Sequence, residues 1–528
     1  MKKVFFILAA GSLIALTLWF FYGRENQLVA CENQDLAIED TLQTISLLPD
    51  TSYESINELI YQIDVFDTIT SGELSSFEDL YADIPGILTF RGSPTRKTPF
   101  YGEIENKPSK VTVEWVFTTD YDAVQTDFGV WGGGTGWTGQ PLYIPYSDSL
   151  KNTFLEKSPG LTTAFSGEEI IIGSLAGYVY FIDYQTGKAS RQSINVHNPI
   201  KGTPSLDPSF NGNLYVGQGI PREKPFGALV INLYSHKQVQ FFPEDKNAWR
   251  GWGAYDSSPI AVGEFLFRCG ENGTVYKFLR EEQGLKLHST LRYKVKGKNA
   301  PGIESSPAIY KNYGYITDNH GNIICFNLNT LQPVWRYNNY DDTDGSPVVE
   351  VENDIPFIYT GCEIDKQGTE GQSHFVKLNG LTGEKIWEQK ISGKRKKDGE
   401  KWSDGGMFST PLIGMKDCDS MIFSNFCIHT ATNKADLIAF NKYNGNIIYR
   451  TALKQYAWSS PIAICNKNDE MFIFTGDIDG AIYLIQGKTG EIILRQPVGN
   501  NFEGSPIIIG NSVVVGSRGR EIYKLKIE

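Results

Sequence analysis

Carboxylates recur at one fixed place in this chain, three residues before a proline that opens a short apolar stretch. Eight such prolines occur roughly 40 to 64 residues apart, and the residues three positions before them are Thr138, Lys201, Asp256, Glu304, Asp344, Phe408, Trp458 and Glu503. Asp256, Glu304 and Asp344 come from three successive repeats. If the repeats bring these side chains together, their like charges repel, and a positive charge or hydrogen-bond donors must offset this repulsion.

A bound cation is one way to offset the three carboxylates. Ca²⁺ takes several oxygen ligands, so Asp256, Glu304 and Asp344 form a candidate Ca²⁺ or small-ligand site, and the further candidates around it are Glu503, Lys201 and Trp458. The alternative is a polar channel mouth without a ligand, in which Lys201 and backbone amides neutralise the acids. No zinc spacing and no Ser-His-Asp arrangement stands out, so we assign no catalytic residue.

Aromatic, glycine-rich segments precede three of the apolar stretches and form a second group of candidates. Their tryptophans are Trp131, Trp137, Trp249, Trp252 and Trp402. Glycine allows close backbone approach and tryptophan offers stacking area, so these segments could form a recognition surface for a protein or a glycan. Loops that pack on one another explain the same composition equally well.

The elements that must position these residues are the strands of a repeated sheet. Each repeat has an apolar strand, a glycine-containing turn and a second strand, as in Phe375–Asn379, Gly380–Glu384 and Lys385–Trp387. A large apolar residue recurs four positions after the turn glycine, at Trp387, Tyr449 and Leu494, and we expect it to pack blade against blade. Repeats of this length predict an all-β propeller, because stacked four-stranded blades bury the faces that a single blade leaves exposed.

The ends of the chain predict how the ring closes. The last repeat supplies only three strands before the chain ends at residue 528, whereas Val111–Phe117 has the pattern of the missing fourth strand, with Trp115 in the aromatic position. We therefore predict eight four-stranded blades over residues 85–528, closed by residues 111–117.

The N-terminal region predicts export to the cell envelope. Lys2 and Lys3 precede nineteen uncharged residues, Val4–Tyr22, which are long enough to cross a bilayer with the lysines in the cytoplasm. Leu28–Cys31 also resembles a lipobox that would make Cys31 a lipidation site. Residues 1–31 are therefore a signal anchor or a lipoprotein signal, and residues 32–84 are expected to form a short helical stalk on the outer side of a membrane.

The net charge bears on the class of partner, and the positions of the cysteines bear on whether they form disulfides. A net charge of −12 and a pI near 5.2 argue against nucleic acid, which needs a basic face. Six cysteines follow Cys31 without any adjacent pair, and several lie in apolar strands, where buried free thiols are expected.

On these motifs the chain resembles the PQQ-type repeat family of β-propellers. The pattern is best matched by Asn379–Trp387, and the Ser-Pro strand starts and the segment Phe90–Arg96 add to it. The family contains quinoprotein dehydrogenases as well as non-enzymatic exported propellers, such as the lipoprotein of the outer-membrane β-barrel assembly machinery. The repeat therefore implies the fold more strongly than the function.

Two functions remain open at this point. The first is a membrane-tethered, extracytoplasmic binding or scaffold propeller in the periplasm or at the cell surface, with an envelope protein or a glycan as its partner. The second is a dehydrogenase that depends on pyrroloquinoline quinone (PQQ) and Ca²⁺. The resemblance implies a vicinal disulfide beside the quinone in such enzymes, and this chain has no adjacent cysteines. We therefore expect a scaffold without PQQ, with Ca²⁺ as the one cofactor that the acidic residues could hold.

Overall fold

The chain folds as a ring of eight β-sheets. The computed structural model describes residues 56–67, 79–98, 100–137, 139–157, 165–398 and 401–528. Within them, eight sheets with four successive antiparallel strands follow one another, and the sheets are numbered here as blades 1 to 8. The predicted eight-bladed all-β propeller of four-stranded blades is confirmed.

The first four blades lie between residues 142 and 338. From the innermost to the outermost strand they are Leu142–Pro145, Glu168–Gly173, Tyr178–Asp183 and Ile194–Asn195 in blade 1; Ser205–Leu206, Asn213–Gly217, Gly227–Asn232 and Lys237–Pro243 in blade 2; Ile260–Val262, Phe265–Gly270, Thr274–Arg280 and Leu285–Val295 in blade 3; and Ala308–Tyr310, Tyr313–Thr317, Asn322–Asn327 and Pro333–Asn338 in blade 4.

The remaining blades run to the end of the chain. Their strands are Val348–Glu352, Ile355–Gly361, Glu370–Asn379 and Lys385–Lys394 in blade 5; Leu412–Ile413, Met421–Cys427, Ala435–Asn441 and Ile447–Leu453 in blade 6; Ile462–Asn466, Met471–Gly476, Ala481–Gln486 and Ile492–Pro497 in blade 7; and Ile507–Ile509, Ser512–Gly516, Glu521–Ile527 and Val111–Thr118 in blade 8.

Blade 8 closes the ring with strands from the two ends of the propeller. Val111–Thr118 pairs antiparallel with Glu521–Ile527, from Val111 opposite Ile527 to Thr118 opposite Glu521. The predicted closing strand is therefore confirmed, with one residue added at its C-terminal end. Since the two paired strands are far apart in sequence, closure joins the ring without a covalent bond.

Hydroxyl groups of the Ser-Pro motifs connect the inner strands of neighbouring blades. The side chain before the proline accepts a hydrogen bond from the backbone amide at the matching position of the preceding blade. The backbone amide of Ser258 donates to the hydroxyl of Ser306 at 2.9 Å, and the amide of Ser306 donates to the hydroxyl of Ser346 at 2.9 Å. The amide of Thr410 donates to the hydroxyl of Ser460 at 3.0 Å in the same way. The motif therefore recurs because it satisfies buried backbone donors that no strand pairing reaches.

The recurring aromatic residues connect the outer strands of neighbouring blades, as predicted. The indole nitrogen of Trp387 in blade 5 donates to the carbonyl of Lys442 in blade 6 at 3.0 Å. The ring lies against Gly445, whose φ of +76° belongs to the turn of blade 6, and a Cβ there would approach the indole within 2.7 Å. Turn glycine and aromatic residue therefore fit together across the blade boundary.

The segment predicted as a helical stalk contains a strand. Leu59–Val65 pairs antiparallel with Leu285–Val295 and forms a fifth strand on the outer edge of blade 3. The helical stalk predicted over residues 32–84 is therefore wrong for residues 59–65. The exposed edge of blade 3 offers backbone hydrogen-bond partners to this segment. This tertiary pairing outweighs the local spacing of apolar residues, which favours a helix only weakly.

Short elements complete the described structure. They are a strand Gly102–Ile104 on blade 7, a hairpin of Tyr121–Thr126 and Gly129–Gly133, a bridge of Glu363–Ile364 to Gly405–Gly406, a hairpin of Lys396–Asp398 and Lys401–Ser403, an α-helix Asp148–Lys157, and 3₁₀ turns Phe90–Gly92 and Lys416–Cys418.

The predicted membrane segments fall outside this structure. Val4–Tyr22 and the lipidation candidate Cys31 lie outside the described residues. In the part of the chain that is described, no helix is both long and apolar enough to cross a bilayer. The six cysteines after Cys31 are buried free thiols, as expected.

Candidate functional site

The loops that lead into the inner strands bring acidic side chains together at one mouth of the central channel. Lys201, Asp256, Glu304 and Asp344 belong to the consecutive blades 2 to 5, and each is at most 6% exposed. Two groups of three carboxylates result, and in each group one oxygen from every residue lies within 4.8 Å of the others. The residues predicted as one cluster are therefore divided between two.

The first group surrounds an ammonium. Asp256, Glu271 and Glu304 lie around Lys201, whose Nζ is 3.3 Å from Glu304 and 3.8 Å from Glu271 and forms a closer ion pair with Asp256. Burial opposes the charge of Lys201, but Asp256, Glu304 and Glu271 outweigh it and raise the pKa of the amine well above its ordinary value. Lys201 therefore occupies the place that a cation would take in this group.

The acids around Lys201 hold their protons more tightly than free carboxylic acids. Burial, partly offset by Lys201, raises the pKa of Glu271 to about 8. Burial and the Glu271 charge raise the pKa of Glu304 to about 7. One ammonium therefore does not compensate three carboxylates fully, and this group takes up protons near neutral pH.

The second group lacks an internal cation. Asp342, Asp344 and Glu363 meet at the loop before blade 5 and the end of its second strand. Lys366 reaches Asp342 at 3.2 Å, but among the described residues neither Asp344 nor Glu363 forms an ion pair. Burial and the neighbouring acids raise the pKa of both carboxyls well above their ordinary values.

Two oxygens of this second group, Asp342 Oδ1 and Glu363 Oε1, have no hydrogen-bond partner among the described residues. Glu363 is 2% exposed, and its Oε1 makes no hydrogen bond. A buried oxygen without a donor is costly, so the pocket beside Asp344 and Glu363 suits either a retained proton or a cation. Three carboxylates that each place one oxygen within 4.8 Å of the others fit part of a Ca²⁺ shell.

The opposite half of the mouth is aromatic and closely packed. Phe408 and Trp458, from the loops before blades 6 and 7, stack with ring centres 4.9 Å apart. The indole nitrogen of Trp137 donates to the carbonyl of Phe408 at 3.3 Å. Thr138, from the same column, lies outside the described residues. The mouth is therefore divided into a charged side over blades 2 to 5 and an apolar side over blades 6 and 7.

Glu503 stands apart from both acidic groups. It is paired with Arg518 at 3.4 Å and accepts a hydrogen bond from Asn501 at 2.8 Å. Arg518 also lies over the ring of Trp131, 5.1 Å from its centre. Trp131 and Trp137 are both buried, so they fill space between loops and offer no exposed stacking face.

The other tryptophan candidates differ in exposure. Trp252 is half-buried and donates to Glu271 at 2.8 Å, which links its loop to the first acidic group. Trp249 is exposed. Trp402 lies in the short strand Lys401–Ser403. Of the four candidates whose side chains are described, Trp249 alone presents an open surface, and packing accounts for the rest.

Two arginines close the channel beneath the mouth. Arg91 donates to the carbonyls of Pro461 at 3.0 Å and Pro411 at 3.2 Å, and Arg96 donates to the carbonyl of Pro307 at 2.9 Å. These carbonyls belong to the proline motifs of blades 7, 6 and 4. Both guanidinium groups are fully buried. The segment predicted only as a family motif therefore fills the channel and ties distant blades together.

Sequence reasoning did not single out Glu271, Glu363, Asp342 or the two channel arginines. Glu271 directly follows the glycine that ends the second strand of blade 3, and Glu363 comes two residues after the matching Gly361 of blade 5. Aligning the ends of the second strands would have found these two acids. Arg91 and Arg96 carry no such signal, since their partners lie in blades far away in sequence.

Comparison with known proteins agrees with the repeat pattern. The family described as outer membrane protein assembly factor BamB matches residues 433–528. No curated protein sequence matches the chain.

Solved structures resemble the chain only distantly. BamB from Moraxella catarrhalis shares 15% identity over 74% of this chain and 99% of its own, with a TM-score of 0.48. The designed protein Ika8 shares 13% identity over 70% and 97%, with a TM-score of 0.47. A europium-containing methanol dehydrogenase shares 13% over 85% and 99%, with a TM-score of 0.43. The family match at residues 433–528, together with the repeat pattern, makes the chain similar to the PQQ-type repeat β-propellers.

Proposed function

We propose that this protein is a non-enzymatic scaffold of the cell envelope that binds a partner protein along the outer strands of blades 5 to 7. The observation that carries the proposal is a set of exposed isoleucines on the outermost strands of three successive blades, in which one position is shared by blades 5 and 6 and a second by blades 6 and 7. Ile386 and Ile448 each precede the aromatic packing residue of their blade, and Ile447 and Ile492 come one position earlier. We call these four residues the apolar rim.

The side chains of the apolar rim are large, aliphatic and open to solvent. Ile386 is 43% exposed, Ile448 46% and Ile492 40%. Scattered apolar residues on a surface need no explanation, but a set repeated across neighbouring blades is typical of an interaction surface. The strands that carry them are also the outermost strands of their blades, and no strand of the described residues pairs with their outer edges.

Blade 3 illustrates how such an edge is covered. The strand Leu59–Val65 pairs with its outermost strand over seven residues. The same kind of strand addition by a partner protein would cover the edges of blades 5 to 7 and bury the apolar rim. A protein fits this surface better than a glycan, because the tryptophans that could stack on sugars are mostly buried.

Location at the envelope rests on two lines of support. The segment Val4–Tyr22 is predicted to direct export, with either an uncleaved anchor or lipidation at Cys31. The family that matches residues 433–528 is described as an outer membrane protein assembly factor. Together they favour a tethered propeller outside the cytoplasm.

The quinoprotein alternative is less well supported. A tricyclic quinone needs open space beside the carboxylates, whereas Phe408 stacks on Trp458 and Trp137 packs against them. Titrating the full chain with PQQ and Ca²⁺ tests this alternative. Stoichiometric quinone absorbance that survives gel filtration would favour the dehydrogenase, and its absence would favour the scaffold.

We also propose that this scaffold protein contains a structural cation site. Asp342, Asp344 and Glu363 would hold a divalent cation such as Ca²⁺, because the pocket is buried, has no ion pair at Asp344 or Glu363 and leaves Glu363 Oε1 unsatisfied. The cation would replace the retained protons and fix the loop before blade 5. The group around Lys201 would not need it.

Co-purification tests the scaffold proposal. The full chain is isolated from envelope membranes as wild type, as the double variant Ile386→Asp/Ile448→Asp, and as Val239→Asp. Val239 is the matched control because it is 40% exposed on the outermost strand of blade 2. We expect one stoichiometric partner to be lost in the double variant and kept in the control. Equal recovery of partners from all three would contradict the proposal.

A further inference from the structure

A cavity between blades 2 and 3 has features of a ligand site unrelated to the apolar rim. It has a volume of about 340 Å³, and its lining combines aromatic side chains, among them Phe242, Tyr276 and Phe278, with charged ones. Phe242 and Phe278 have ring centres 5.0 Å apart, and Tyr276 stacks on Phe278 at 6.0 Å. The walls are therefore flat, apolar and closely spaced.

Arg268 contributes a positive charge to this cavity without a compensating anion. Its side chain lines the cavity, yet the residue is only 2% exposed. Its Nε and Nη2 are buried and make no hydrogen bond. Within the described residues, no aspartate or glutamate forms an ion pair with it, and its guanidinium carbon lies 5.8 Å from the centre of the Tyr255 ring.

Other buried arginines among the described residues each have a hydrogen-bond or ion-pair partner, although Arg91 and Arg292 leave their Nε unpaired, whereas no such partner is found for Arg268. Arg91 and Arg96 donate to backbone carbonyls of the channel. Arg292, which also lines the cavity, donates to the carbonyl of Asn247 at 2.7 Å and pairs with Asp64. Leaving a buried guanidinium unpaired costs several kcal/mol by general estimates, so a missing anion is the simplest explanation for Arg268.

The acidic residues that line the cavity do not supply this anion. Glu244 pairs with Lys224 at 3.2 Å. Asp245 accepts a hydrogen bond from Tyr276 at 3.0 Å. Burial lowers the pKa of Arg268 to about 10, which still leaves it charged at neutral pH.

We propose that the cavity between blades 2 and 3 binds a small carboxylate with an apolar or aromatic body. The carboxylate would accept hydrogen bonds from Arg268, and the body would lie against the aromatic surface formed by Phe242, Tyr276 and Phe278. Guanidinium groups form charge-assisted hydrogen bonds with carboxylates, and an apolar body packs well on aromatic side chains. The same chemistry is present in a free aryl acid and in the C-terminal residue of a peptide that ends in phenylalanine.

Calorimetry with the full chain tests this site. Phenylacetate represents the free acid, and the tripeptide Gly-Gly-Phe represents a peptide C-terminus. Of the two controls, phenylacetamide lacks the negative charge and acetate lacks the aromatic body. We expect phenylacetate or Gly-Gly-Phe to bind about tenfold or more tightly than the two controls, since a charge-assisted hydrogen bond contributes that much. Preference for one of the two identifies the source of the ligand.

Variants locate the binding in the cavity. Arg268→Met should weaken binding about tenfold or more, whereas Lys277→Met should not change it. Lys277 is a matched control because it is a buried cation on the neighbouring strand that does not line the cavity. Equal binding of phenylacetate and phenylacetamide, unchanged binding in Arg268→Met, or no binding at all by wild type would overturn the proposal. If Arg268→Met does not fold, the comparison of acid and amide on wild type decides.

Discussion

Asp344 and Glu363 lie side by side in the channel mouth, and neither is compensated by an ion pair within the described residues. Both are buried, and the pKa of each is raised well above its ordinary value by burial and by neighbouring acids. A retained proton or a bound cation would stabilise this arrangement. Which of the two is present determines how the protein responds to Ca²⁺ and to pH.

Ca²⁺ should stabilise the wild-type protein at pH 8 through this pair. By linkage, a cation at one hundred times its dissociation constant adds about 2.7 kcal/mol to the free energy of unfolding. Differential scanning calorimetry with increasing Ca²⁺ measures the effect. The variant Asp344→Asn/Glu363→Gln should lose the response, whereas Asp256→Asn/Glu304→Gln should keep it, because Lys201 already serves that group. A response lost only in the second variant would place the cation beside Lys201.

Without Ca²⁺, stability should fall as the pH rises from about 5 to 8. Burial raises the pKa of Glu271 to about 8 and burial with Glu271 raises that of Glu304 to about 7, so the folded state binds protons that the unfolded state has released. Each unit of raised pKa corresponds to about 1.4 kcal/mol. Urea unfolding across this range should show the decline for wild type and a flatter profile for Glu271→Gln. Glu491→Gln, an exposed site in blade 7, is the control and should follow wild type.

The channel arginines should contribute strongly to stability. Arg91→Met removes donors from the buried carbonyls of Pro461 and Pro411, and each unsatisfied group costs about 1–3 kcal/mol. Arg450→Met removes a 3.8 Å ion pair between an exposed guanidinium and Asp436, whose carboxylate keeps its hydrogen bond from Asn433, and should change stability by less than about 1 kcal/mol. Denaturant midpoints of the two variants measure the difference. Equal midpoints would show that the channel segment is not a structural connection between blades.

The contact of Trp387 with blade 6 should make Gly445 intolerant of a side chain. In Gly445→Ala the new methyl would meet the indole within 2.7 Å at a φ of +76°, so we expect a loss of about 2–3 kcal/mol. Gly510→Ala is the matched control, because Gly510 also has a positive φ of +56° but no atom within 4 Å of the added carbon. Thermal unfolding of both variants separates steric contact from backbone strain.

The sequence predicts the ring well because each blade repeats its own local rules. The proline motif marks each inner strand, the turn glycine marks each hairpin, and Trp115 marks the closing strand. It predicts less well where one segment meets a distant one. Leu59–Val65 has no clear strand pattern and becomes a strand only because the edge of blade 3 is free to pair with it.

The residues of the candidate site are likewise predictable from the sequence only in part. Lys201, Asp256, Glu304 and Asp344 are found by alignment because one loop position recurs. The division of the acids into two groups depends on Glu271 and Glu363, which follow the second strands of blades 3 and 5. It also depends on the position of the Lys201 ammonium. Those distances are properties of the packed ring and have no counterpart in the repeat pattern.

Site-specific photo-cross-linking at the apolar rim tests the central claim most directly. A photoreactive phenylalanine derivative replaces Ile448 in one variant and Val239 in another, in the full chain in its native envelope. The account predicts a single abundant protein adduct from position 448 and none from position 239. Adducts of equal yield at both positions, or none at position 448, would contradict a partner-binding surface on blades 5 to 7.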